Sequence, residues 1–375
     1  MIALPPPNLT IPVSSSTVTV RIIDSTTTLL INPPLFWTPA IPSITPYRAP
    51  ALCFLISNEI QNRHVLFDLG VRKDWENSAP RTVQLIKGTT EVTVEKGIAE
   101  ILDEQGDQYE SGERAVRSTD IEAIIWSHHH FDHTGDPSTF AHSTSLVVGP
   151  GVKEHIWPGY PTDPSSSVLD SDIAGRSVTE LDFSKERPDT CKIGRFNAVD
   201  YFHDGSFYIL DAPGHCVGHV CALARVTSCS ASASDSGDRE RESFIFMGGD
   251  SAHHVGLLRP SPYIPIPKAI SPSPFRSPSV NPTREVIQSM HPEESITDPF
   301  LKPARGMFPD YEAAEDTINK IQEMDAAENV LVVLPHDRTL LGEIELFPGK
   351  INGWLEEGVK ERVRWAFLGD FEGAL

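Results

Sequence analysis

The chain has 375 residues, room for one large domain or two ordinary ones. Acidic residues outnumber basic ones 52 to 31, a formal net charge of −21, which excludes the basic face that nucleic acids and anionic membranes require. Hydrophobic residues make up 39%, enough for a sizeable core, but 32 residues are proline, where about 5% usage would give roughly 19.

Residues 1–16 open with Met1-Ile2-Ala3-Leu4-Pro5-Pro6-Pro7, which has neither the basic nor the apolar region of a secretory signal. They read as a flexible Pro-rich leader to a single domain over 17–375. Nothing later approaches the ~18 apolar residues of a membrane span. Cys53, Cys191, Cys216, Cys221 and Cys229 are odd in number and in no paired-ligand spacing, so a reduced, cytoplasmic protein is expected. In chain order, β-branched runs bounded by Asn, Pro and Gly predict strands at 18–23, 51–56 and 64–68. Val94, Ile98, Ile101 and Leu102 share one helical face, predicting a helix over 93–105 stopped by Gly106. Strands follow at 121–126, 145–148, 207–210, 219–226 and 244–247. The segment 227–243, rich in Ser, Asp and Arg, reads as a solvated hairpin loop. Twelve prolines fall between Pro260 and Pro309, so an insertion over 255–309 is expected to hold only a short helix, at 283–290. A helix at 311–327, a strand at 330–334 and a final helix over 351–366 complete the chain.

The chemistry lies in Ser127-His128-His129-His130-Phe131-Asp132-His133. His128 and His130 are two apart, so an extended backbone projects both imidazoles to one side, with His129 pointing the other way. Imidazole nitrogen and carboxylate oxygen suit zinc and other borderline first-row metals. Four candidate ligands in six residues exceed what one tetrahedral ion with an open position needs, so two adjacent ions are the natural reading. Asp211 or His215, Asp250 and His336 each follow a β-type run beside Gly or Pro, where loops turn sharply. Asp250 has two oxygens with which to bridge two cations.

With these residues in hand, the chain resembles a metallo-β-lactamase-fold hydrolase, through His128, His130, Asp132 and His133 as its H-x-H-x-D-H motif and His215, Asp250 and His336 as its later ligands. The resemblance implies an α/β, four-layer αββα sandwich. It implies one metal held by His128, His130 and His215, a second by Asp132, His133 and His336, and Asp250 between them. Two divalent ions are expected, zinc first, with Fe, Mn or Co as alternatives. A bridging hydroxide would attack a carbonyl while Asp132 passes the proton. Asp68 matches the family's early strand-end Asp and is expected to orient a ligand; His219 is expected to be structural.

The 39 residues after His336 and the Leu35-Phe36-Trp37 segment are similar to the N-acyl homoserine lactonase branch and its fungal lactonase and lactamase relatives. That implies opening of a small, neutral lactone, lactam or cyclic carbamate. A glyoxalase II-like thioesterase is the alternative within the class. A di-iron oxidoreductase and a non-catalytic binding protein are the alternatives outside it. Where the bacterial lactonases place a Tyr against the substrate carbonyl, this chain has His253, whose neutral imidazole can donate the same hydrogen bond. No nucleic acid or membrane partner is expected, and a homodimer stays open. The insertion is expected either to wall the pocket or a subunit contact, or to be a tethered surface loop.

Overall fold

The computed structural model describes residues 3–41, 44–105, 114–185, 187–228 and 241–375. The first sheet has the strand order Val92–Val94, Thr19–Ile31, Tyr47–Asn58, Arg63–Phe67, Ile121–Ile125, Ser145–Val148, Val178–Glu180. Its pairings are antiparallel as far as Arg63–Phe67 and parallel beyond. The second has the order Val330–Val333, Ser243–Met247, Val220–Thr227, Phe207–Asp211, Phe196–Asp200, Thr190–Ile193. It is antiparallel apart from the pairing of Val330–Val333 with Ser243–Met247.

Side-chain alternation along the strands builds the layers. Val20, Ile22, Phe54 and Phe67 of the first sheet meet Ile209, Ala222, Ile245 and Val333 of the second in one buried cluster. The intervening residues Cys53, Leu55 and Ile124 face outward onto helix Ile98–Gln105. Leu210, Leu223, Phe246 and Val332 cover the other outer face with helix Tyr311–Ala326. The result is the expected α/β sandwich of helix, sheet, sheet and helix. Because both faces of each sheet are covered, residues 51–56 are apolar without a break, and each fully buried Phe or Leu contributes about 1.5–3 kcal/mol.

Several expectations are corrected. The helix expected over 93–105 begins only at Ile98: Val92–Val94 pairs with Thr27–Leu29 of the first sheet, since β-branched residues at a sheet edge gain more from the ladder than from a helix. Gly106 lies outside the described residues. The final helix expected over 351–366 is a run of turns, then helix Val359–Val363 and a 3-10 segment Ala366–Ala374. Gly358 takes φ +65° there, which favours glycine and ends the preceding turn. Helix Pro80–Thr89, with Pro80 in its first turn, was not expected. The hairpin of Thr190–Ile193 and Phe196–Asp200 was not expected either.

The leader, expected as a flexible arm, is fastened down. Leu9 sits in the core, and its carbonyl accepts from Gly194 N at 2.6 Å. Pro12 O accepts from Arg225 at 2.5 Å. Of the loop expected at 227–243, residues 229–240 lie outside the described residues; its ends meet through Thr227 and Ser243, whose hydroxyls are 2.7 Å apart. The insertion is no loose surface loop: Val255, Leu257, Leu258, Ile266, Ile287, Phe300 and Leu301 are buried in the core of the second outer face.

Five strands place the candidate site. Arg63–Phe67 and Ile121–Ile125 run parallel in the first sheet. In the second, Phe207–Asp211, Ser243–Met247 and Val330–Val333 share one direction. Asp68, residues 128–133, His215, Asp250 and His336 all follow the C-terminal ends of these strands, so both sheets deliver them to the same edge.

Candidate metal centre

The segment after Ile121–Ile125 is held open by two local devices. His130 has an extended backbone, and the single turn Phe131–Thr134 then swings Asp132 and His133 inward. Gly135 ends that turn at φ +50°, with the Leu69 Cβ only 2.3 Å from where its own Cβ would stand, so no other residue fits. On the opposite side, Gly214 takes φ +125° against the Ala314 backbone, which would lie 2.2 Å from a Cβ. That contact presses the His215 loop onto helix Tyr311–Ala326.

Two groups of donor atoms result. His128, His130 and His215 converge: His215 Nε2 lies 3.2 Å from His128 Nε2 and 3.0 Å from His130 Nδ1. Zinc–nitrogen bonds of about 2.0–2.1 Å set tetrahedral neighbours roughly 3.3 Å apart, so these spacings are those of ligands round one ion. Asp132, His133, Asp250 and His336 form the second group. Asp132 Oδ2 is 3.5 Å from His336 Nε2 and 3.9 Å from His133 Nε2. Asp250 stands astride both. Its Oδ1 is 3.0 Å from His133 Nε2 and 3.2 Å from His336 Nε2, while Oδ2 is 3.6 Å from His215 Nε2 and 3.7 Å from His128 Nε2.

The protons are assigned by the partners on the far side of each ring. Pro50 O, 2.8 Å from His336 Nδ1, can only accept, so Nδ1 carries the proton and Nε2 faces the site bare. His133 Nδ1 donates to Asp68 Oδ2 at 2.8 Å. Ser127 Oγ donates to the same carboxylate at 2.7 Å and so accepts from His128 Nδ1 at 3.0 Å. His219 Nδ1 donates to Ala212 O, which leaves its Nε2 to accept from Asp250 N at 3.0 Å. His133 Nε2 and His336 Nε2 both face Asp250 Oδ1. His133 Nε2 and Asp250 Oδ1 are both buried and face each other at 3.0 Å, a pair that a cation between them would satisfy.

Charge follows the same division. Burial keeps His128 and His215 well below the usual imidazole range and pushes His130 down to about 3. At His133 burial also opposes charge, but Asp250, Asp68 and Asp132 outweigh it and raise the ring well above its usual value. Burial likewise opposes ionisation of Asp250, yet His133, His253 and His336 hold it well below the usual carboxylate range. The first group is thus a set of neutral imidazoles, whereas the second sets two carboxylates against two imidazoles whose charged form they favour, a positive charge that a divalent cation can replace.

All seven expected ligands therefore meet, together with His253, and Asp68 orients His133 as expected. Asp68 does so from φ +64°, a left-handed conformation that Asp tolerates better than most residues. Replacing Asp68 by Asn puts an amide donor against Ser127 N in one orientation, or against both Ser127 Oγ and His133 Nδ1 in the other. Metal affinity is expected to fall about 10- to 100-fold, read by competition with a chromophoric chelator. Sequence reasoning missed Ser127, although it immediately precedes the motif. It also missed Phe36 and Phe308, whose rings lie 4.6 and 5.7 Å from His253 and carry no local signal. Cys216 Sγ reaches the first group, and burial raises its thiol above the usual range.

The chain belongs to the metallo-beta-lactamase superfamily, whose model matches residues 48–257. It is similar to the metallo-hydrolase mfmC of Annulohypoxylon moriforme, 49% identical over 99% of this chain and 92% of that protein. It is also similar to the gamma-lactamase FDB1 of Fusarium pseudograminearum, 41% identical over 99% of this chain and 86% of that one. Among solved structures, an N-acyl homoserine lactone hydrolase with bound product superposes with a TM-score of 0.54 over 90% of this chain and 100% of that one, at 16% identity. That last likeness is one of fold. The protein is a metal-dependent hydrolase.

Proposed function

We propose that the protein is a dinuclear hydrolase, with zinc as its first candidate metal, that opens a small neutral lactone, lactam or cyclic carbamate. The observation that carries the reading is Asp250, whose two oxygens face two separate donor groups. The named lactamase relative, similar along nearly the whole chain, supports a cyclic substrate. When bound, a pair of divalent ions activates water for attack and polarises a carbonyl.

The chain's own residues do the rest. His128, His130 and His215 would hold one ion, Asp132, His133 and His336 the other, and Asp250 would contribute to both. Phe36 and Phe308, flanking His253, offer flat apolar walls that receive a planar ring and exclude water from it. His253 donates a hydrogen bond to the carbonyl oxygen. Asp132, 13% exposed where Asp250 is 4%, is the site's most accessible carboxylate and carries the proton to the departing nitrogen or oxygen. Free thiols at Cys53, Cys191, Cys216 and Cys221 suit a reducing compartment, and among the described residues no helix is long and apolar enough to cross a membrane.

Metal analysis with a substrate panel tests this. Two ions per chain and turnover of at least one γ-lactone or cyclic carbamate, lost on chelation and restored by zinc, are expected. Aryl ester cleavage with every cyclic substrate untouched would overturn the ring specificity, and redox-active iron with oxygen consumption would overturn hydrolysis.

A further inference from the structure

His253 sits closer to the metal centre than a substrate contact needs to. Its Nε2 is 3.1 Å from Asp250 Oδ2, the oxygen that faces His128 and His215 rather than the one that faces His133 and His336. His215, Asp250 and His253 are all buried, and their donor atoms lie within 4.8 Å of one another. The imidazole thus stands on the first group's side of the bridging carboxylate, where three nitrogens and Asp250 Oδ2 leave room for a fifth ligand.

We propose that His253 is a displaceable ligand of the cation held by His128, His130 and His215. It closes that cation's open position in the substrate-free protein and gives way to the substrate carbonyl. This rests on the dinuclear hydrolase reading and refines it.

What separates His253 from His128, His133 and His336 is its far nitrogen. His128, His133 and His336 each have that nitrogen fixed by Ser127, Asp68 or Pro50, as enduring metal ligands do. His253 Nδ1 is buried and meets no partner. His215 Nδ1 shares that lack, but its loop is pinned by Gly214 against Ala314. Beyond the 3.1 Å contact of its Nε2 with Asp250 Oδ2, His253 is held by ring packing: Phe36 at 4.6 Å, Phe308 at 5.7 Å, and His336 parallel to it at 6.3 Å and 5°. Rotation between aromatic faces breaks no hydrogen bond at Nδ1, so the ring can leave the cation at little cost. Released, the ring can donate to the carbonyl that displaced it once its proton passes from Nδ1 to Nε2.

The test uses the full chain loaded with Co(II), whose visible absorption strengthens as coordination number falls. His253→Ala is expected to intensify and shift the absorption and to weaken Co(II) binding by about 10- to 100-fold. Added imidazole should restore the native spectrum. His253→Phe, which keeps a ring between Phe36 and Phe308, should fold as the native chain does and show the same spectral change. If both variants keep the native spectrum and affinity, His253 is not a ligand. Should KM for a cyclic substrate nevertheless rise in them, His253 is a substrate contact alone, and the proposed function survives. A native chain that takes up neither Co(II) nor Zn(II) overturns both readings.

Discussion

Asp250→Asn is expected to lower kcat/KM by roughly 1,000-fold or more, a barrier increase of about 4 kcal/mol. The substitution keeps size and shape, so the fold of the surrounding Gly249–Ser251 turn should persist. It removes the charge, and one of the two bridging atoms becomes an amide nitrogen with no lone pair to offer. Whichever way the amide turns, one of the pairs His133 with His336 or His128 with His215 then faces a donor in place of the oxygen now 3.0–3.7 Å away. Metal content should drop from two ions per chain towards one, by elemental analysis of the dialysed protein. Turnover within a few-fold of the native value, with two ions retained, would show that Asp250 does not bridge.

The second large effect is on stability, at a place remote in sequence from the chemistry. Arg259, at the start of the insertion, makes a paired contact with Asp325 of helix Tyr311–Ala326, Nε to Oδ2 and Nη2 to Oδ1, both at 2.7 Å. Its Nη1 donates to Arg364 O at 2.6 Å. Arg259 is 4% and Asp325 1% exposed at the side chain, so neither charge is left with water when the other is removed. Arg259→Met is expected to destabilise the chain by about 3–5 kcal/mol, whereas Arg259→Met with Asp325→Leu should recover most of that loss. Denaturant unfolding of the two variants decides it; equal losses would mean that the pair matters through packing rather than charge. The same insertion presents Phe308 to His215 and His253. The single variant should therefore raise KM for a cyclic substrate while metal content stays unchanged.

The ligand set was legible because it is written locally. His128, His130, Asp132 and His133 lie within one strand end and turn, and His215, Asp250 and His336 each close a β-type run beside Gly or Pro. The sandwich followed from the resemblance these residues carry, and the strands from their apolar, β-branched runs. What stayed hidden depends on contacts between distant segments. Pro50 offers a carbonyl that any residue would, so nothing marked it as the orienter of His336. Phe308 is 58 residues beyond Asp250 and reaches the site only through the packing of the insertion. Val94 looked helical beside Ile98 because periodicity cannot tell that Thr27–Leu29 would offer it a sheet edge. Gly353 and Gly358 were there to be read, and the long final helix should have been doubted at them.

Each donor group draws on both halves of the sandwich. His128 and His130 hang from the first sheet and His215 from the second; Asp132 and His133 hang from the first, His336 from the second. A cation in either group is therefore a rivet through the seam. Along most of that seam the halves are held by apolar faces, which tolerate small sliding; at the riveted edge, sliding breaks coordination. Ion supply then sets the stiffness of the catalytic edge as well as its chemistry. In a metal-starved cell the first region to breathe, and to offer backbone to proteases, would be the active-site rim, while the far edge stayed closed.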